Sequence, residues 1–295
     1  MRIGLLGTGP WAEMAYAPAL SAHTELDFAG VWGRRPEAAK ALADRHGGLP
    51  VYEDVDALFA DVDAVAVALP PSVQAPLAVR AARAGCHLLL DKPLATDVAE
   101  GRAVVEAVER AQVASVVFFT ARFQTAIEAW ITEQADTGGW FTGRAEWLGS
   151  LFDGDSDSPF AASPWRREKG ALWDVGPHAL SVLLPVLGDV EEVTAVRGAK
   201  DTVHLVLAHT GGASSTVTLS LSAPPAASGA TAEFRGRAGA TVLPSSDEDG
   251  VVPALVRAGD ALLAAARGGR PHPCDAAFGL RVTEVLAAAE GQLAP

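Results

Sequence analysis

The 295-residue sequence predicts an α/β protein: an N-terminal Rossmann domain with a doubly wound parallel sheet, then a C-terminal α/β domain with an open, mostly antiparallel sheet. Two observations support this prediction. Over the first 120 residues, short apolar runs alternate with helical patterns, as they do in doubly wound sheets. Further along, three segments alternate apolar and polar residues, which is typical of antiparallel strands with one solvated face. The predicted domains are therefore 1–120 and 121–295.

The first domain is predicted to contain five strands separated by helices, with small helix-breaking residues at each junction. The apolar runs that predict strands are Arg2–Leu6, Leu26–Trp32, Ala64–Leu69, His87–Leu90 and Ala114–Phe119. Helical periodicity predicts the helices Ala12–Ser21, Pro36–His46, Val73–Ala84 and Asp97–Gln112. The run from Val65 to Leu69 is continuously apolar, as expected of a buried parallel strand.

The second domain is predicted to combine three alternating strands with helices. The expected strands of its sheet are Val190–Gly198, Thr202–His209 and Ser214–Ser222, preceded by a strand-like segment, Trp140–Leu151. The expected helices are Ile127–Gln134, Leu172–Leu187, Val252–Arg267 and Asp275–Gly291. An acidic stretch, Phe152–Ser163, and the stretch Ser245–Gly250 are predicted to be loops.

Composition and charge narrow the classes of partner. Hydrophobic residues make up 49% of the chain, enough for a substantial core. The net charge of −13 argues against nucleic acid or an anionic membrane surface as the main partner. Cys86 and Cys274 are too few for a disulfide framework or a cysteine zinc site. No apolar run resembles a signal peptide or reaches the roughly 18–20 residues of a membrane span. We therefore expect a cytoplasmic protein.

A dinucleotide-binding fingerprint follows the first predicted strand: Gly7, Thr8, Gly9, Pro10, Trp11 and Ala12. Gly7 permits a tight turn, Gly9 lets the backbone approach a pyrophosphate, and Ala12 lets the following helix pack closely on the strand. The amino terminus of that helix would face the phosphate groups. At the first strand of a βαβ unit, this motif predicts a dinucleotide site.

The end of the second strand bears on the choice of cofactor. NAD sites usually carry an acidic residue there for the ribose 2′-hydroxyl, but this sequence has Trp32, Gly33, Arg34 and Arg35. A guanidinium at Arg34 or Arg35 suits a 2′-phosphate, although both residues are equally compatible with solvated positions at a helix start. NADP is therefore favoured, with NAD as the alternative.

Five motifs occur in the order of one known family. They are Gly7–Ala12, Leu69-Pro70-Pro71, Asp91-Lys92-Pro93, Arg122-Phe123 and Asp174-Val175-Gly176-Pro177-His178. From Arg2 to about Leu187, the sequence resembles the Gfo/Idh/MocA family of glucose-fructose oxidoreductases and inositol dehydrogenases. The resemblance implies hydride transfer between NAD(P) and a sugar, polyol or related carbonyl substrate. It also implies that Leu69, Pro70, Asp91 and Lys92 lie at the cofactor, and that subunits form a homodimer or homotetramer through the C-terminal sheet.

Lys92 is the first candidate catalytic residue. It follows an apolar strand, so it is expected at the carboxyl edge of the sheet, where open α/β folds bind ligands. A lysine there can hold a substrate hydroxyl and stabilise oxyanion character. The resemblance implies a catalytic lysine in a Glu-Lys-Pro motif. Here the acid is Asp91, one methylene shorter.

Asp174 and His178 form the second candidate group. Four residues apart at a predicted helix start, they lie on one face of the helix. A histidine exchanges a proton near neutral pH, and a nearby carboxylate orients it or binds a hydroxyl. The resemblance implies that His178 is the acid/base and that Asp174 assists in substrate binding and proton transfer. Where many relatives have an acid three residues after the histidine, this chain has Ser181.

Other polar and aromatic residues are weaker candidates. Arg166, with Trp165 and Trp173, suits a sugar pocket, but core packing or surface capping explains these residues equally well. Gln74 stands where the resemblance implies a histidine, and its role is open. The alternating Asp153, Asp155 and Asp157 lack the glycine and glutamate of a calcium loop, and no metal is expected.

Two alternatives to a dehydrogenase remain open at the sequence level. One is a redox-assisted lyase or glycosidase that holds NAD tightly. The other is a non-catalytic nucleotide-sensing regulatory protein, because Rossmann folds also serve as sensors. The retention of Lys92, Asp174 and His178 argues against a sensor, which needs no proton relay.

Overall fold

The computed structural model describes residues 1–154, 158–245 and 250–293 and divides into two units. The first unit comprises Met1–Phe123 and Glu248–Leu280, and the second comprises Gln124–Asp247 and Arg281–Pro295. The first break in the chain thus lies three residues beyond the predicted boundary. A linear division into two domains did not anticipate the C-terminal segment that belongs to the first unit. Asp155 and Asp157 lie outside the described residues, as does most of the predicted loop after Ser245.

The first unit is built on a six-stranded parallel sheet. Its strands are β1 (Arg2–Leu6), β2 (Asp27–Trp32), β3 (Val51–Tyr52), β4 (Ala64–Val67), β5 (His87–Asp91) and β6 (Ser115–Phe118). Their order across the sheet is β3-β2-β1-β4-β5-β6, and every pairing is parallel. The chain reverses direction across the sheet beside β1, the arrangement that places ligands of doubly wound folds at the carboxyl ends of the strands.

Helices cover this sheet and begin where the sequence supplies starting residues. They are α1 (Ala17–Ala22), α2 (Pro36–Arg45), α3 (Val55–Asp61), α4 (Pro71–Arg83) and α5 (Val98–Ala111). Proline occupies the first turn of α2 and α4, where its missing N–H costs no hydrogen bond. The Asp97 carboxylate accepts a hydrogen bond from the backbone N–H of Glu100, 3.0 Å away, and caps α5.

The second unit contains a six-stranded mixed sheet. Its elements in chain order are α6 (Thr125–Thr137), β7 (Trp140–Leu148), α7 (Pro164–Asp174), α8 (Gly176–Leu187), β8 (Val190–Arg197), β9 (Val203–His209), β10 (Ser214–Ser220), β11 (Gly229–Gly236) and β12 (Gly239–Val242). The strand order is β12-β11-β7-β10-β9-β8. Only β7 and β10 pair in parallel, so the predicted open, mostly antiparallel sheet is confirmed.

Helix α8 covers one face of the second sheet, and the other face carries exposed side chains. Close approach of helix to strand depends on Gly143 of β7, because a Cβ there would lie 2.8 Å from Leu187 Cδ1. In β9, buried and exposed residues alternate, with Val203, Leu205 and Leu207 on the covered face. This alternation is the two-residue period that predicted the strand.

Two helices follow the second sheet, α9 (Val251–Ala266) and α10 (Ala276–Leu293). Helix α9 packs within the first unit against α1, β5 and β6. The Arg257 side chain of α9 donates a hydrogen bond from Nε to the carbonyl of Phe123, 2.6 Å away. The first unit therefore combines two stretches of the chain that are separated by most of the second unit.

One segment has the length and composition of a membrane-spanning helix, Pro164–Leu187. However, 72% of its most apolar window is buried within the protein, as expected of a core helix. The segment is also not one straight helix, because Gly170 is non-helical with φ 63° and ψ −161°. The predicted helix start near Leu172 lies just after this break.

Candidate active site

The glycine-rich turn links β1 to the first helical segment of the first unit. Gly7 has φ +125°, and a Cβ there would lie 2.4 Å from the carbonyl oxygen of Ala68, so only glycine fits. Its N–H donates to the carbonyl of Trp32, 2.9 Å away. A Cβ built on Gly9, by contrast, would meet no atom within 4 Å. The backbone at Gly9 therefore faces open space that a pyrophosphate can enter, so these residues fit a dinucleotide.

The helix after the turn begins at Pro10 and includes a π-helical turn, Ala12–Tyr16, which runs into α1. Ala12 is completely buried, as expected of the small residue that lets helix and strand pack closely. Such π turns are rare and occur frequently at functional sites. The turn ends at Tyr16, whose phenol is directed into the same unit and reaches the end of β5.

Arg34 and Arg35 follow Gly33 after the end of β2, close to the glycine turn. A Cβ on Gly33 would lie 2.6 Å from Thr8 Cγ2, which shows how closely this strand end packs against the turn. Both arginines are exposed, and within the described part of the chain neither forms an ion pair or a side-chain hydrogen bond. Two guanidinium groups are therefore available at this strand end, with no acidic residue among Trp32, Gly33, Arg34 and Arg35.

Leu69 and Pro70 follow β4 at the same edge of the sheet and are half-buried. The Pro70 carbonyl accepts hydrogen bonds from the backbone N–H groups of Val73 and Gln74, each 2.9 Å away. These bonds form the first turn of α4 and fix where the helix begins. The start of α4 in turn sets the position of Gln74.

Gln74 holds the turn that carries Lys92. Its buried amide oxygen accepts a hydrogen bond from the Asp91 N–H at 2.8 Å. Its Nε2 donates to the carbonyls of Asp91, Pro93 and Leu94 at 2.8, 3.1 and 3.3 Å. One side chain thus bonds the backbone on both sides of Lys92, across a cis peptide between Lys92 and Pro93. The role left open by the sequence is positional, and Lys92 itself is half-buried at the carboxyl end of β5.

Tyr16 supplies a second contact to this turn. Its hydroxyl donates to Asp91 Oδ1 at 3.4 Å, inside the first unit. Burial, together with the neighbouring Asp91 carboxylate, raises the pKa of Tyr16 well above its ordinary value. The phenol therefore stays protonated and remains a donor to the carboxylate. The glycine-turn helix and the Lys92 turn are linked through this buried bond.

Asp174 and His178 lie at the junction of α7 and α8 in the second unit. Asp174, the last residue of α7, is 6% exposed, and His178 in the first turn of α8 is half-buried. The His178 ring stacks on Trp147 of β7, with ring centroids 6.4 Å apart and planes 11° apart. A side chain of β7 therefore lies parallel to the imidazole. Ser181 is fully buried and donates its hydroxyl to the His178 carbonyl at 2.8 Å.

Arg166 is paired with Asp174. The Arg166 Nε donates to Asp174 Oδ2 at 3.1 Å, and the two side chains are 16% and 9% exposed. Eight residues of straight helix would separate these positions by about 12 Å. The non-helical Gly170 breaks the helix between them and lets the chain turn. Trp165 stacks on the Arg166 guanidinium, whereas Trp173 is completely buried and belongs to the core.

The predicted site residues therefore fall into two groups, one in each unit. The glycine turn, the strand ends and the Asp91–Lys92 turn share the carboxyl edge of the first sheet, and Arg166, Asp174 and His178 share one helix junction. Sequence reasoning missed the function of Gln74 and Tyr16, because their partners lie 17 to 20 and 75 residues away. No cluster of three or more metal-ligating side chains occurs among the described residues.

These features define a two-unit dinucleotide-binding protein of the Rossmann type. A family model described as an oxidoreductase family with an NAD-binding Rossmann fold, GFO/IDH/MocA, matches residues 1–119. The model of the GFO/IDH/MocA C-terminal domain matches residues 141–242. The chain belongs to the Gfo/Idh/MocA family, as its motifs predicted.

Individual relatives are similar over different parts of the chain. A D-xylose 1-dehydrogenase (NADP(+)) of Haloferax volcanii is 30% identical over 241 residues, covering 76% of this chain and 70% of that protein. The D-apiose dehydrogenase of Rhizobium rhizogenes is 31% identical over 205 residues, 65% of this chain but only 58% of its own length. A solved UDP-N-acetylglucosamine 3-dehydrogenase from Acidithiobacillus ferrooxidans superposes with a TM-score of 0.82 at 22% identity, covering all of this chain and 99% of that one. That likeness shows a shared fold.

Proposed function

We propose that this protein is an NADP-preferring dehydrogenase or reductase that acts on a sugar, polyol or related carbonyl substrate. The observation that carries the proposal is the turn from Asp91 to Pro93. Gln74 donates three hydrogen bonds and accepts one, and these bonds hold the turn at the carboxyl edge of the sheet that also bears the glycine turn. A lysine on a turn fixed in this way is suited to catalysis, because the backbone that carries it needs little reorganisation during reaction.

The cofactor would be held by Gly7, Thr8, Gly9, Pro10, Trp11 and Ala12 at its pyrophosphate, with Leu69, Pro70 and Asp91 along the same edge. When bound, its nicotinamide supplies or accepts the hydride. The chain's own residues manage the proton. Lys92 holds the reacting oxygen and stabilises its developing negative charge, and His178 takes or returns the proton. Asp174 binds a substrate hydroxyl and assists the transfer.

The catalytic roles are tested by replacing Lys92 and His178 in turn. Lys92→Ala and His178→Asn should each lower kcat by about 10²- to 10⁴-fold, the usual contribution of general acid–base groups. Lys40→Ala is a matched control, because Lys40 is exposed and forms an ion pair with Asp44 on its own helix. Turnover is measured as NADPH or NADH absorbance with sugars, polyols and aldehydes. Unchanged turnover in both variants would refute these roles.

The preference for NADP rests on Arg34 and Arg35. Their guanidinium groups suit a 2′-phosphate, and the D-xylose dehydrogenase of Haloferax volcanii is named for NADP(+). Titration should give a lower Kd for NADPH than for NADH. The double variant Arg34→Ala/Arg35→Ala should weaken NADPH by at least about tenfold and leave NADH within about threefold. Arg83→Ala, at another exposed arginine, is the control. Tighter binding of NADH to the unaltered protein would overturn the assignment.

We also propose that two or more copies associate through the open face of the second sheet. One transverse row of this face carries Thr194, Val206, Thr216, Arg144, Glu233 and Val242. Val206 and Val242 are 53% and 56% exposed in the single chain. Exposed apolar side chains on a wide sheet are typical of interaction surfaces. A monomer by light scattering at working concentration would contradict the proposal.

The same experiments separate the two alternative functions. Net turnover of free cofactor excludes a redox-assisted lyase or glycosidase, which regenerates its bound cofactor within each cycle. Tight NADPH binding without turnover of any substrate would instead favour a nucleotide-sensing protein. The dehydrogenase proposal thus requires both binding and net turnover.

A further inference from the structure

Two aromatic rings and a carboxylate hold the Arg166 side chain in the second unit. Its guanidinium carbon lies 5.0 Å from the ring centroid of Phe160 and 4.8 Å from that of Trp165. Its Nε is bonded to Asp174, and its side chain is only 16% exposed. Stacking and one edge contact therefore hold the plane of the guanidinium in place. A planar donor group fixed in this way loses little conformational entropy when it binds a ligand.

The terminal nitrogens of this guanidinium remain available. Among the residues that the structure describes, Nη1 and Nη2 have no hydrogen-bond acceptor, since the Nε bond is the one polar contact of Arg166. Neither nitrogen is among the buried side-chain atoms that lack a partner, so both reach accessible space. Nη1 and Nη2 form the end edge of the guanidinium, distinct from the Nε side that contacts Asp174. This edge presents two parallel N–H groups, which match the two oxygens of a carboxylate.

The charges around this edge favour an anion over a neutral hydroxyl pair. The Asp174 carboxylate is already engaged by Nε, and Ser181, one turn beyond, is neutral and bonded to the His178 carbonyl. The Arg167 guanidinium packs on a different ring, 5.3 Å from the Phe152 centroid, and adjacent helix positions do not face each other. A bidentate carboxylate uses both terminal nitrogens at once, in bonds roughly twice as strong as neutral ones.

We propose that the substrate is a sugar acid, whose carboxylate binds the Nη1–Nη2 edge of Arg166 while a hydroxyl of the same molecule binds Asp174 beside it. This inference rests on the proposed function, whose substrate it narrows from sugars in general to polyhydroxy carboxylic acids. The 3.1 Å contact between Arg166 and Asp174 places the carboxylate donor and the hydroxyl acceptor side by side. A small molecule with both groups can therefore engage both residues.

Matched ligand pairs test the proposal without requiring turnover. Gluconate and glucitol, galactonate and galactitol, and mannonate and mannitol differ only in a carboxylate replacing a terminal CH2OH. Each is titrated calorimetrically into the NADPH-loaded protein, where neither member of a pair can accept a hydride. We expect the acid to bind at least tenfold tighter than the alcohol in at least one pair. Glucitol 6-phosphate, titrated alongside, should bind more weakly than the preferred acid.

Arg166→Gln should reduce binding of the preferred acid by about 30-fold and change binding of its alcohol by less than about threefold, the size expected for a charge-assisted pair. Arg166→Lys keeps the positive charge but lacks the paired N–H groups of the guanidinium. Its affinity for the preferred acid should lie between those of the unaltered protein and Arg166→Gln. The same variant tests the proposal if Arg166→Gln fails to fold. Arg167→Gln is the matched control and should leave the selectivity unchanged.

Three results would overturn the proposal: alcohols that bind as tightly as acids in every pair, a phosphate preferred over every acid, or an equal loss for acid and alcohol in Arg166→Gln. The last would mean that Arg166 acts only by orienting Asp174. Failure of the proposed function is distinguishable, because it would appear as absent NADP(H) turnover, whereas these titrations measure binding alone.

Discussion

The two groups of candidate site residues are held in place by different interactions. In the first unit, the uncharged Gln74 bonds four backbone groups around Lys92, all within a buried turn. In the second unit, Asp174 is held by a charged partner, Arg166, across a helix broken at Gly170. The first arrangement fixes the main chain that carries the functional residue. The second fixes a side chain and relies on one glycine for the geometry of the backbone.

This difference predicts unequal sensitivity to mutation. Loss of the Gln74 amide removes a hydrogen-bond partner from several buried backbone groups of the first unit. Each lost bond lowers the free energy of unfolding. In the second unit, a side chain added at Gly170 strains the backbone of that residue and separates the Arg166–Asp174 ion pair. The loss of the Gln74 amide should therefore be the more destabilising change.

Gln74→Leu should have the largest effect. The substitution keeps a similar volume but removes one acceptor and one donor group that together serve Asp91, Pro93 and Leu94. We expect the free energy of unfolding to fall by about 3 kcal/mol, because each buried group left unpaired costs about 1–3 kcal/mol. Urea denaturation measures this loss.

The control for Gln74 is Gln124→Leu. Gln124 precedes α6 and forms no side-chain cap, so its replacement should change stability by no more than about 0.5 kcal/mol. Equal losses in the two variants would show that the Lys92 turn does not depend on the Gln74 amide.

Gly170→Ala should have an intermediate effect. A Cβ at this position would meet no atom within 4 Å, but residues other than glycine rarely adopt φ +63° with ψ −161°. We expect a loss of about 1–3 kcal/mol from backbone strain alone. Ligand selectivity should fall as well, since the Arg166–Asp174 contact depends on the break.

Gly291→Ala in α10 is the matched control, because that glycine is helical and also has open space around it. Alanine there should be neutral or stabilise by up to about 1 kcal/mol. If Gly170→Ala were as harmless, the helix break would be imposed by its surroundings rather than by glycine.

Tyr16→Phe should have the smallest effect. The Tyr16–Asp91 bond is long, at 3.4 Å, and its removal should cost no more than about 1 kcal/mol. Because the folded-state pKa of Tyr16 is raised, the phenol stays protonated in the folded protein. The advantage over Phe should be constant below the unfolded pKa of about 10 and shrink as pH rises above it.

Unfolding of both proteins at several pH values between neutrality and pH 11 tests this expectation. An advantage that grows with rising pH would contradict the raised pKa. A loss of unfolding free energy as large as that of Gln74→Leu would contradict the smaller contribution expected of the long Tyr16–Asp91 bond.

The sequence predicted most of the fold because its strands carry clear periodicities. The fully buried β4 is a continuous apolar run, and β9 alternates cleanly. Three strands had no such signal. β3 has only two residues, whereas β11 and β12 begin with glycine and contain few large apolar residues. Their pairing depends on neighbouring strands, which local sequence does not encode.

The site was predictable to the extent that its chemistry lies in short motifs. Gly7 has a positive φ in a tight turn, and a Cβ at Gly9 would meet no atom within 4 Å, as a glycine-rich turn requires. Gln74 was not predictable, since its amide bonds backbone groups that become neighbours only when α4 packs beside β5. Nor was the arrangement of Arg166, because a contact over eight residues of a helical segment requires the break at Gly170.

The return of α9 to the first unit has a consequence for biosynthesis. This helix packs against α1, β5 and β6, yet it follows the whole sheet of the second unit in the chain. A ribosome must therefore translate the second sheet before the first unit can finish folding. We expect nascent chains that end before α9 to expose the apolar surface that this helix covers, and so to depend on chaperones until synthesis passes that point.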